Sequence, residues 1–302
     1  MALEKLMEAV QSRNSNRTIV IAHAVDASLF LAMKQALERN LASFILVGPL
    51  KEMEKLLEEA EIPKELEGKV AKVNAEDDKA SALKAVQLVS EGKGNALMKG
   101  MLSTSTLLKA VLNKEVGLRT GKVLSHLAGF SFADKEQLLF LTDAAMNIAP
   151  DLRDKEQIIE NAVDAVRHIG IEKPRVAVIT AVETVNPAMQ ATLDAAALTQ
   201  MNRRGQLKNC IVDGPLGLDN AISEESAKQK GITSEVAGKA DILLAPSIEA
   251  GNVLYKSLTY FGNAVVGGII VGAKAPIILT SRTDKVESKL LSMLLAISSI
   301  EA

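Results

Sequence analysis

Several residue types that would point to particular functions are scarce in this 302-residue chain. Tryptophan is absent and aromatic residues make up only 3% of the sequence, so aromatic platforms for stacking nucleic-acid bases are not expected. The formal net charge of -2 provides no general attraction for nucleic acid or for an anionic lipid surface. A ligand that carries phosphate groups would therefore need a local basic site.

Cysteine occurs once, at Cys210, which excludes an intramolecular disulfide and fits a reducing cytoplasm. Because Cys210 lies in the apolar stretch 207–212, which we interpret as a buried strand, a core thiol is a better interpretation than a nucleophile. No cluster of cysteine and histidine predicts zinc, and the sequence has neither a GxGxxG fingerprint nor a P-loop. We therefore expect no metal and no permanently bound cofactor.

Long apolar runs that would span a bilayer are also missing. The N-terminal segment is an amphipathic pattern with Leu3, Leu6, Met7 and Val10 on one face, which differs from a signal peptide. These features predict a cytoplasmic protein with no membrane partner. Hydrophobic residues still make up 48% of the chain, enough to form the cores of one large or two modest domains.

The order of predicted elements indicates an α/β fold. Strand-like and helix-like segments alternate as far as residue 112, which predicts a parallel sheet. Beyond residue 122, two strand-like segments at 123–132 and 137–141 follow each other closely, which predicts a hairpin or a meander and a sheet that is no longer purely parallel. We therefore predict two α/β domains with an interdomain cleft: a discontinuous first domain, residues 1–122 and 270–302, and a second domain, residues 123–269.

One candidate site follows the apolar run at 276–279, which leads directly into Ser281, Arg282, Thr283 and Asp284. Ligands of open α/β sheets bind just past the carboxyl ends of the strands, so a hydroxyl, a guanidinium and a carboxylate are predicted to arrive together at such a place. The alternative is that Thr283 and Asp284 cap the next helix and that Arg282 is a surface residue.

A second candidate site begins where a predicted strand ends, at Lys99 and Gly100. Four hydroxyl residues then open a helix: Ser103, Thr104, Ser105 and Thr106. The free N–H groups and the positive dipole end of a helix favour a bound anion. Since an ordinary cap needs one hydroxyl and four are present, we favour an anion site over a simple cap.

Further polar residues follow predicted strands in the second domain. Asp143 and Asn147 come after the strand at 137–141, where they either line a site or cap a helix at 155–166. A turn is predicted at the end of the strand 207–212, formed by Asp213, Gly214 and Pro215.

On the helices, Asp219 is interpreted as the cap of a helix that extends to Lys230. Asn252 and Lys256 lie four residues apart on a helix that begins near Ile248, where they share a face that either binds an anionic ligand or is simply solvated.

His126, within a predicted strand, is interpreted as a structural residue. The glycine-rich stretch 262–272 predicts either close packing or approach of a ligand to the backbone.

In this order and spacing the segments resemble the phosphate acyltransferase family, which exchanges the acyl group of an acyl-CoA with inorganic phosphate. The stretches that carry the resemblance are DAAMNIAP at 143–150, DGP at 213–215 with Asp219, ADILLAP at 240–246, GNVLYK at 251–256 and PIILTSRTD at 276–284. Within the family the chain looks most like the butyryl-transferring members. It is short, and its first strand leads into His23 and Asp26, where acetyl-transferring relatives tend to have a Pro-Glu-Gly start.

The resemblance implies a fold similar to that of the isocitrate and isopropylmalate dehydrogenases, and a homodimer or larger homo-oligomer. It implies that coenzyme A and phosphate are substrates, with acyl-CoA and acyl phosphate as partners of the site and no nucleic acid. The implied phosphate segment runs from Lys99 to Thr106, and Lys109 occupies a place where relatives often have arginine. The remaining implied substrate-binding residues are Asp143, Asn147, Asp213, Gly214, Pro215, Gly251, Asn252 and Lys256.

The resemblance also assigns catalytic roles. Ser281 would donate a hydrogen bond to the tetrahedral intermediate, and Arg282 would hold phosphate with its planar fork. Acetyl-transferring relatives carry an aspartate where this chain has Ser288, so Asp284 and Glu287 are equal candidates for handling the thiol proton. A phosphate acetyltransferase, a synthase that uses acyl-carrier protein, and a CoA-ester or acyl-phosphate binding module without turnover are the alternatives.

Overall fold

The computed structural model describes residues 2–12, 17–281 and 283–300. The strands are β1 (Thr18–Ala22), β2 (Ser43–Gly48), β3 (Val70–Asn74), β4 (Ala96–Lys99), β5 (Ser125–Ser131), β6 (Leu139–Thr142), β7 (Arg175–Ile179), β8 (Ile211–Leu216), β9 (Ile242–Leu244), β10 (Val265–Val271) and β11 (Ile277–Ile278). The helices are α1 (Ala2–Ser12), α2 (Ala27–Glu38), α3 (Leu50–Glu59), α4 (Asp78–Ser90), α5 (Thr104–Val111), α6 (Leu152–Ile169), α7 (Gln190–Arg203), α8 (Leu218–Ile222), α9 (Glu224–Gln229), α10 (Ile248–Tyr260) and α11 (Val286–Ser298). The chain is a mixed α/β protein.

The chain divides into two compact units. One, called here the terminal unit, consists of Leu3–Lys122 and Val265–Ala302, and the other, called the central unit, is built from Val123–Ala264 with the first two residues. None of the described helices combines the length and apolar character that crossing a bilayer requires.

The sheet of the terminal unit has the strand order β3-β2-β1-β4-β11-β10. Strands β1 to β4 and β11 run parallel, as the alternating pattern predicts, whereas β10 pairs antiparallel with β11. Strand β1 is an apolar, largely β-branched segment with four buried residues, and α2 begins after it because the Asp26 carboxylate accepts a hydrogen bond from the backbone N–H of Ser28.

The glycines of β10 allow a helix to pack closely against this sheet. A Cβ atom on Gly267 would lie 2.7 Å from the backbone nitrogen of Ser292 in α11, and the hydroxyl of Ser292 accepts a hydrogen bond from the Gly268 N–H. Of the two interpretations of this glycine-rich stretch, the structure therefore supports close packing at these positions.

The sheet of the central unit has the order β5-β6-β9-β7-β8. Strands β5 and β6 are antiparallel, with Gly129 opposite Phe140, which confirms the predicted hairpin. The other pairs are parallel.

Two predictions about β8 and the segment after it are wrong. Asn209 has a left-handed φ of 61°, so the strand begins only at Ile211, and the predicted turn at 213–215 lies inside it. The predicted helix ending at Lys230 is two helices separated by Ser223, whose extended backbone and side chain start α9. Asp219 is therefore not its cap and instead pairs with Lys230 at 3.3 Å.

Two other predicted caps are also corrected. Helix α6 is capped by Asp151, which forms a capping box with Asp154, so neither Asp143 nor Asn147 serves that purpose. The residue before α11 is Lys285, and no side chain caps that helix. The alternative in which Thr283 and Asp284 cap it is therefore wrong.

Candidate active site

Two candidate segments leave the terminal sheet side by side. Strand β4 pairs in parallel with β11, with Met98 opposite Ile278, and on its other side with β1, with Lys99 opposite Ala22. Because the carboxyl ends of parallel neighbours meet at one edge of a sheet, the chain after Lys99 and the loop that begins at Ser281 lie next to each other. This edge is where ligands bind in open α/β sheets.

Lys99 is almost completely buried, with 8% of its surface exposed. Its ammonium group donates hydrogen bonds to the carbonyl oxygens of Gly100 at 3.2 Å and Leu102 at 3.5 Å. The positive charge therefore lies beneath the backbone turn that leads into α5, close to the N-terminus of that helix.

The N-terminus of α5 carries the predicted group of hydroxyls. Ser103 caps the helix, since its Oγ accepts a hydrogen bond from the Thr106 N–H at 3.0 Å. The same Oγ contacts the hydroxyls of Ser105 and Thr106, both at 2.8 Å. Ser103, Thr104 and Ser105 are exposed, so this group faces solvent, whereas Lys109 lies exposed in the last turn of the helix.

The loop after β11 presents an exposed hydroxyl. The N–H of Ser281 donates to the Asp284 carboxylate at 2.7 Å, and the N–H of Asp284 donates to the carbonyl of Ser281 at 3.2 Å. These bonds close a compact turn in which the Oγ of Ser281 lies 3.0 Å from that of Thr283. Ser281 and Thr283 are exposed. Arg282, the predicted phosphate ligand, lies outside the described residues.

The two candidates for handling a proton differ in their surroundings. Asp284 is half-buried and uses a carboxylate oxygen to bind the backbone of Ser281. Glu287 is exposed in the first turn of α11, and its carboxylate has no hydrogen-bonding partner among the described residues. The two residues are therefore not equivalent.

In the central unit, Asp143 organises the loop that follows β6. It is 2% exposed and accepts hydrogen bonds from the backbone N–H groups of His126, Ala145 and Met146, at 3.1, 2.8 and 2.9 Å. The side chain of Asn147 donates to the same carboxylate at 2.6 Å and to the carbonyl of Leu124. Asp143 and Asn147 thus hold this loop in place through internal hydrogen bonds.

Helix α10 packs against the loop that follows β6. A Cβ atom on Gly251 would lie 2.4 Å from the carbonyl oxygen of Asp143, so this close approach requires glycine. The side-chain amide of Asn252 donates to the carbonyl of Ala144 at 3.2 Å. Lys256 is exposed one turn further along the helix.

The buried His126 contacts the half-buried Tyr255 beside Asp143. Their ring centroids lie 6.0 Å apart, and burial lowers the pKa of His126 while the nearby Asp143 carboxylate opposes that shift. His126 lies in β5, as predicted. Tyr255 was not singled out from the sequence, because an aromatic residue on an amphipathic helix gives no specific signal.

Asp213, Gly214 and Pro215 are half-buried residues of β8. The carbonyl of Gly214 accepts a hydrogen bond from Thr199 at 3.1 Å, and a Cβ atom there would lie 2.9 Å from Val178. This tripeptide therefore contributes to packing between β8, β7 and α7. Across the described part of the chain, no group of three or more histidine, cysteine, aspartate and glutamate side chains is placed to hold a metal ion.

Sequence reasoning missed Lys289, which lies beneath the Ser281 loop and has no exposed surface. Its ammonium group is 3.3 Å from the carbonyl oxygens of both Ser281 and Asp284, and 3.5 Å from the Asp26 carboxylate. The available signal was the lysine that directly precedes the largely apolar, buried part of α11, residues 290–297.

An α/β sheet with an exposed serine and a buried lysine at neighbouring strand ends is consistent with a transferase that handles an anionic substrate. Comparison with known proteins establishes the class. The family model described as "Phosphate acetyl/butaryl transferase" matches residues 79–297, and the chain belongs to this family of transferases.

Individual relatives are similar over nearly their full length. The probable phosphate butyryltransferase of Bacillus subtilis (strain 168) is 51% identical over 291 residues, covering 96% of this chain and 95% of that protein. The phosphate butyryltransferase of Clostridium beijerinckii is 50% identical over 283 residues, covering 93% and 92%. A solved structure of a branched-chain phosphotransacylase from Enterococcus faecalis V583 has a TM-score of 0.81 and 36% identity, covering 94% and 98%. These comparisons confirm the resemblance drawn from the motifs.

Proposed function

We propose that this enzyme transfers the acyl group of butyryl-CoA, or of a similar short or branched acyl-CoA, to inorganic phosphate, giving acyl phosphate and coenzyme A. The observation that carries the proposal is the exposed hydroxyl of Ser281 on a loop at the end of β11, beside the Lys99 segment at the end of β4. The names of relatives with 50–51% identity support the choice of a butyryl-type substrate.

The chemistry requires little from the protein beyond positioning and charge stabilisation. An oxygen of hydrogen phosphate attacks the thioester carbonyl and forms a tetrahedral oxyanion. The C–S bond then breaks, the carbonyl reforms as acyl phosphate, and the proton of hydrogen phosphate passes to the sulfur of coenzyme A. Because phosphate is itself the nucleophile, no covalent acyl-enzyme is needed.

Ser281 is proposed to donate its hydroxyl proton to the developing oxyanion. Its Oγ is exposed at the turn, and its own backbone is fixed by Asp284, so the hydroxyl is presented without serving as a helix cap. A donor preorganised in this way stabilises charge that develops only in the transition state.

Phosphate is proposed to bind at the N-terminus of α5, above Lys99. The exposed hydroxyls of Ser103, Thr104 and Ser105 supply short-range donors, and the buried Lys99 supplies positive charge. Arg282 is retained as a phosphate ligand on the basis of the motif alone. Lys109 is retained on the same basis, and it contributes a point charge rather than a planar fork.

Glu287 is proposed as the group that relays the proton between phosphate and sulfur. Its exposed carboxylate has no hydrogen-bonding partner among the described residues, whereas Asp284 binds the backbone of Ser281. A relay must be able to accept and release a proton within hydrogen-bond reach of both groups. Asp284 is therefore assigned to support of the Ser281 turn.

For coenzyme A we retain, on the basis of the resemblance alone, the central-unit residues Asp143, Asn147, Asp213, Gly214, Pro215, Gly251, Asn252 and Lys256. The exposed Lys256 is suited to an anionic group. The two-domain, dehydrogenase-like arrangement with a cleft and the cytoplasmic location stay predictions.

A homodimer or larger symmetric assembly is also proposed. Large apolar side chains are exposed on α10 and directly after it, with Val253 at 65% within the helix, Tyr260 at 73% at its end and Phe261 at 88%. Such exposure is typical of a surface that a partner covers. Light scattering at micromolar concentration is expected to give at least twice the mass of one chain, and a monomer mass would contradict this assignment.

The function is tested by measuring release of the coenzyme A thiol from butyryl-CoA, isobutyryl-CoA and acetyl-CoA, with and without phosphate. We expect release that requires phosphate, persists in EDTA and favours the four-carbon substrates. Release without phosphate, or trapping of an acyl-enzyme, would refute direct transfer. A preference for acetyl-CoA would instead identify a phosphate acetyltransferase, and binding without release would identify a module without turnover.

A further inference from the structure

The ammonium group of Lys289 joins the Ser281 loop to a second loop. Lysine has three N–H donors, and three oxygens surround this one: the carbonyls of Ser281 and Asp284, each at 3.3 Å, and the carboxylate of Asp26 at 3.5 Å. Two acceptors belong to the turn that presents the Ser281 hydroxyl. The third belongs to the residue that caps α2 after β1.

Other hydrogen bonds of the turn are internal. Ser281 and Asp284 bond to each other through backbone and carboxylate, and Ser281 contacts the hydroxyl and N–H of Thr283. Among the described residues 281, 283 and 284, the hydrogen bonds that reach outside the turn come from Lys289. The position of the turn relative to the sheet edge therefore depends on this side chain.

Both ends of the bridge are rigid. Helix α11, which carries Lys289, packs closely on the glycines of β10, and residues 289–298 are all buried. The other oxygen of Asp26 is held by the N–H and hydroxyl of Ser28, at 3.0 and 2.8 Å. A fixed cation between a fixed carboxylate and the turn can hold Ser281 within the small tolerance that catalysis demands.

A fully buried ammonium group is costly to stability, and an apolar side chain of similar volume is often neutral or stabilising in such a place. The charge therefore needs an explanation other than stability. We propose that Lys289 is a positioning residue for acyl transfer, which sets the Ser281 hydroxyl at the oxyanion through the two carbonyls of its turn. This inference rests on the proposed function of Ser281.

The test is a kinetic double-mutant cycle with Lys289→Met and Ser281→Ala, read with butyryl-CoA and phosphate. Lys289→Met alone is expected to lower kcat at least about tenfold with little change in KM, because a misplaced donor loses transition-state stabilisation rather than binding. In the Ser281→Ala background the same change is expected to lower kcat less than about twofold, because Lys289 acts through Ser281.

Lys155→Met is the matched control. Lys155 is also a buried lysine paired with a carboxylate, Asp194, but it belongs to the central unit and has no contact with Ser281. It is expected to lower the melting temperature and leave kcat at the wild-type value.

The outcomes separate the inference from the proposed function. Wild-type kcat in Ser281→Ala would refute the proposed role of Ser281. Two outcomes would overturn the inference alone. One is a strong loss of kcat in Ser281→Ala together with wild-type kcat in folded Lys289→Met. The other is a double variant whose loss of kcat equals the product of the losses in the two single variants. Should Lys289→Met fail to fold, Asp26→Asn/Lys289→Met removes both charges and is measured in the same cycle. Failure of that variant to fold would also overturn the inference, because it would show that Lys289 serves the stability of the whole unit.

Discussion

Gly100 packs directly against the carbonyl oxygen of His23, where a Cβ atom would lie only 2.2 Å away. The N–H of Gly100 also donates to the carbonyl of Ala22 at 2.9 Å. The end of β4 is thus fixed on the turn after β1, and the adjacent Lys99 is held beneath the N-terminus of α5. A residue with a Cβ atom at position 100 would displace the backbone that carries this charge.

Lys99→Ala is expected to raise the KM for phosphate about tenfold or more, because the variant loses the buried positive charge near the proposed anion site. The measurement is the dependence of initial rate on phosphate concentration at saturating butyryl-CoA. The matched control is Lys93→Ala, since Lys93 is an exposed lysine paired with Glu91. An unchanged dependence of the rate on phosphate in Lys99→Ala would show that this segment only caps a helix and does not bind phosphate.

Cys210 is expected to be inert in the folded enzyme. Burial raises the pKa of its thiol to about 11, and the thiolate is the reactive form. At pH 8 only about one molecule in a thousand would carry the thiolate. Iodoacetamide at pH 8 should therefore leave turnover intact, and a chromogenic disulfide should titrate the thiol fully only after unfolding. Rapid inactivation that butyryl-CoA prevents would contradict a mechanism without a cysteine nucleophile.

The lowered pKa of His126 predicts how the stability of the folded protein depends on pH. Burial lowers its pKa in the folded state, so the unfolded chain binds the proton more readily. The stabilisation is complete above the ordinary histidine pKa of about 6.5 and is lost progressively as the pH falls below that value. The melting temperature should therefore decline between pH 7 and pH 5.5. In His126→Gln the decline should be shallower, and an identical decline would assign the effect to other groups.

Much of the fold follows from local pattern. Alternating apolar strands and amphipathic helices predict the parallel part of the sheet, and the close spacing of two strand-like segments predicts the hairpin of β5 and β6. The prediction of a turn at Asp213 to Pro215 was wrong, because these residues, although typical of turns, lie inside β8. The chain instead turns at Asn209, before the strand begins. Asp213 pairs with Ala177 of β7 and Leu216 pairs with Ile179, so the strand continues through a register shift at Gly214 and Pro215.

The candidate site was predictable only where its residues follow strands. Ser281 and Lys99 are placed by the order of the elements, since Lys99 ends β4 and Ser281 follows β11 closely, and the sequence identifies both strands. Lys289 could not be found in this way, because its role depends on contacts with Ser281 and Asp26, and Asp26 lies 263 positions earlier in the sequence. Likewise, the sequence alone does not show that Asp284 supports a turn while the Glu287 carboxylate has no hydrogen-bonding partner in the part of the chain that the structure describes.

The central claim is that the Ser281 hydroxyl acts on the oxyanion rather than on the fold. The most direct test compares kcat and melting temperature in Ser281→Ala with those in Ser223→Ala, whose hydroxyl caps α9. Ser223→Ala should lose about 1 kcal/mol of stability and keep its turnover. Ser281→Ala should lose roughly a hundredfold or more in kcat with its melting temperature little changed. Wild-type turnover in Ser281→Ala would contradict the account and remove this loop from the active site.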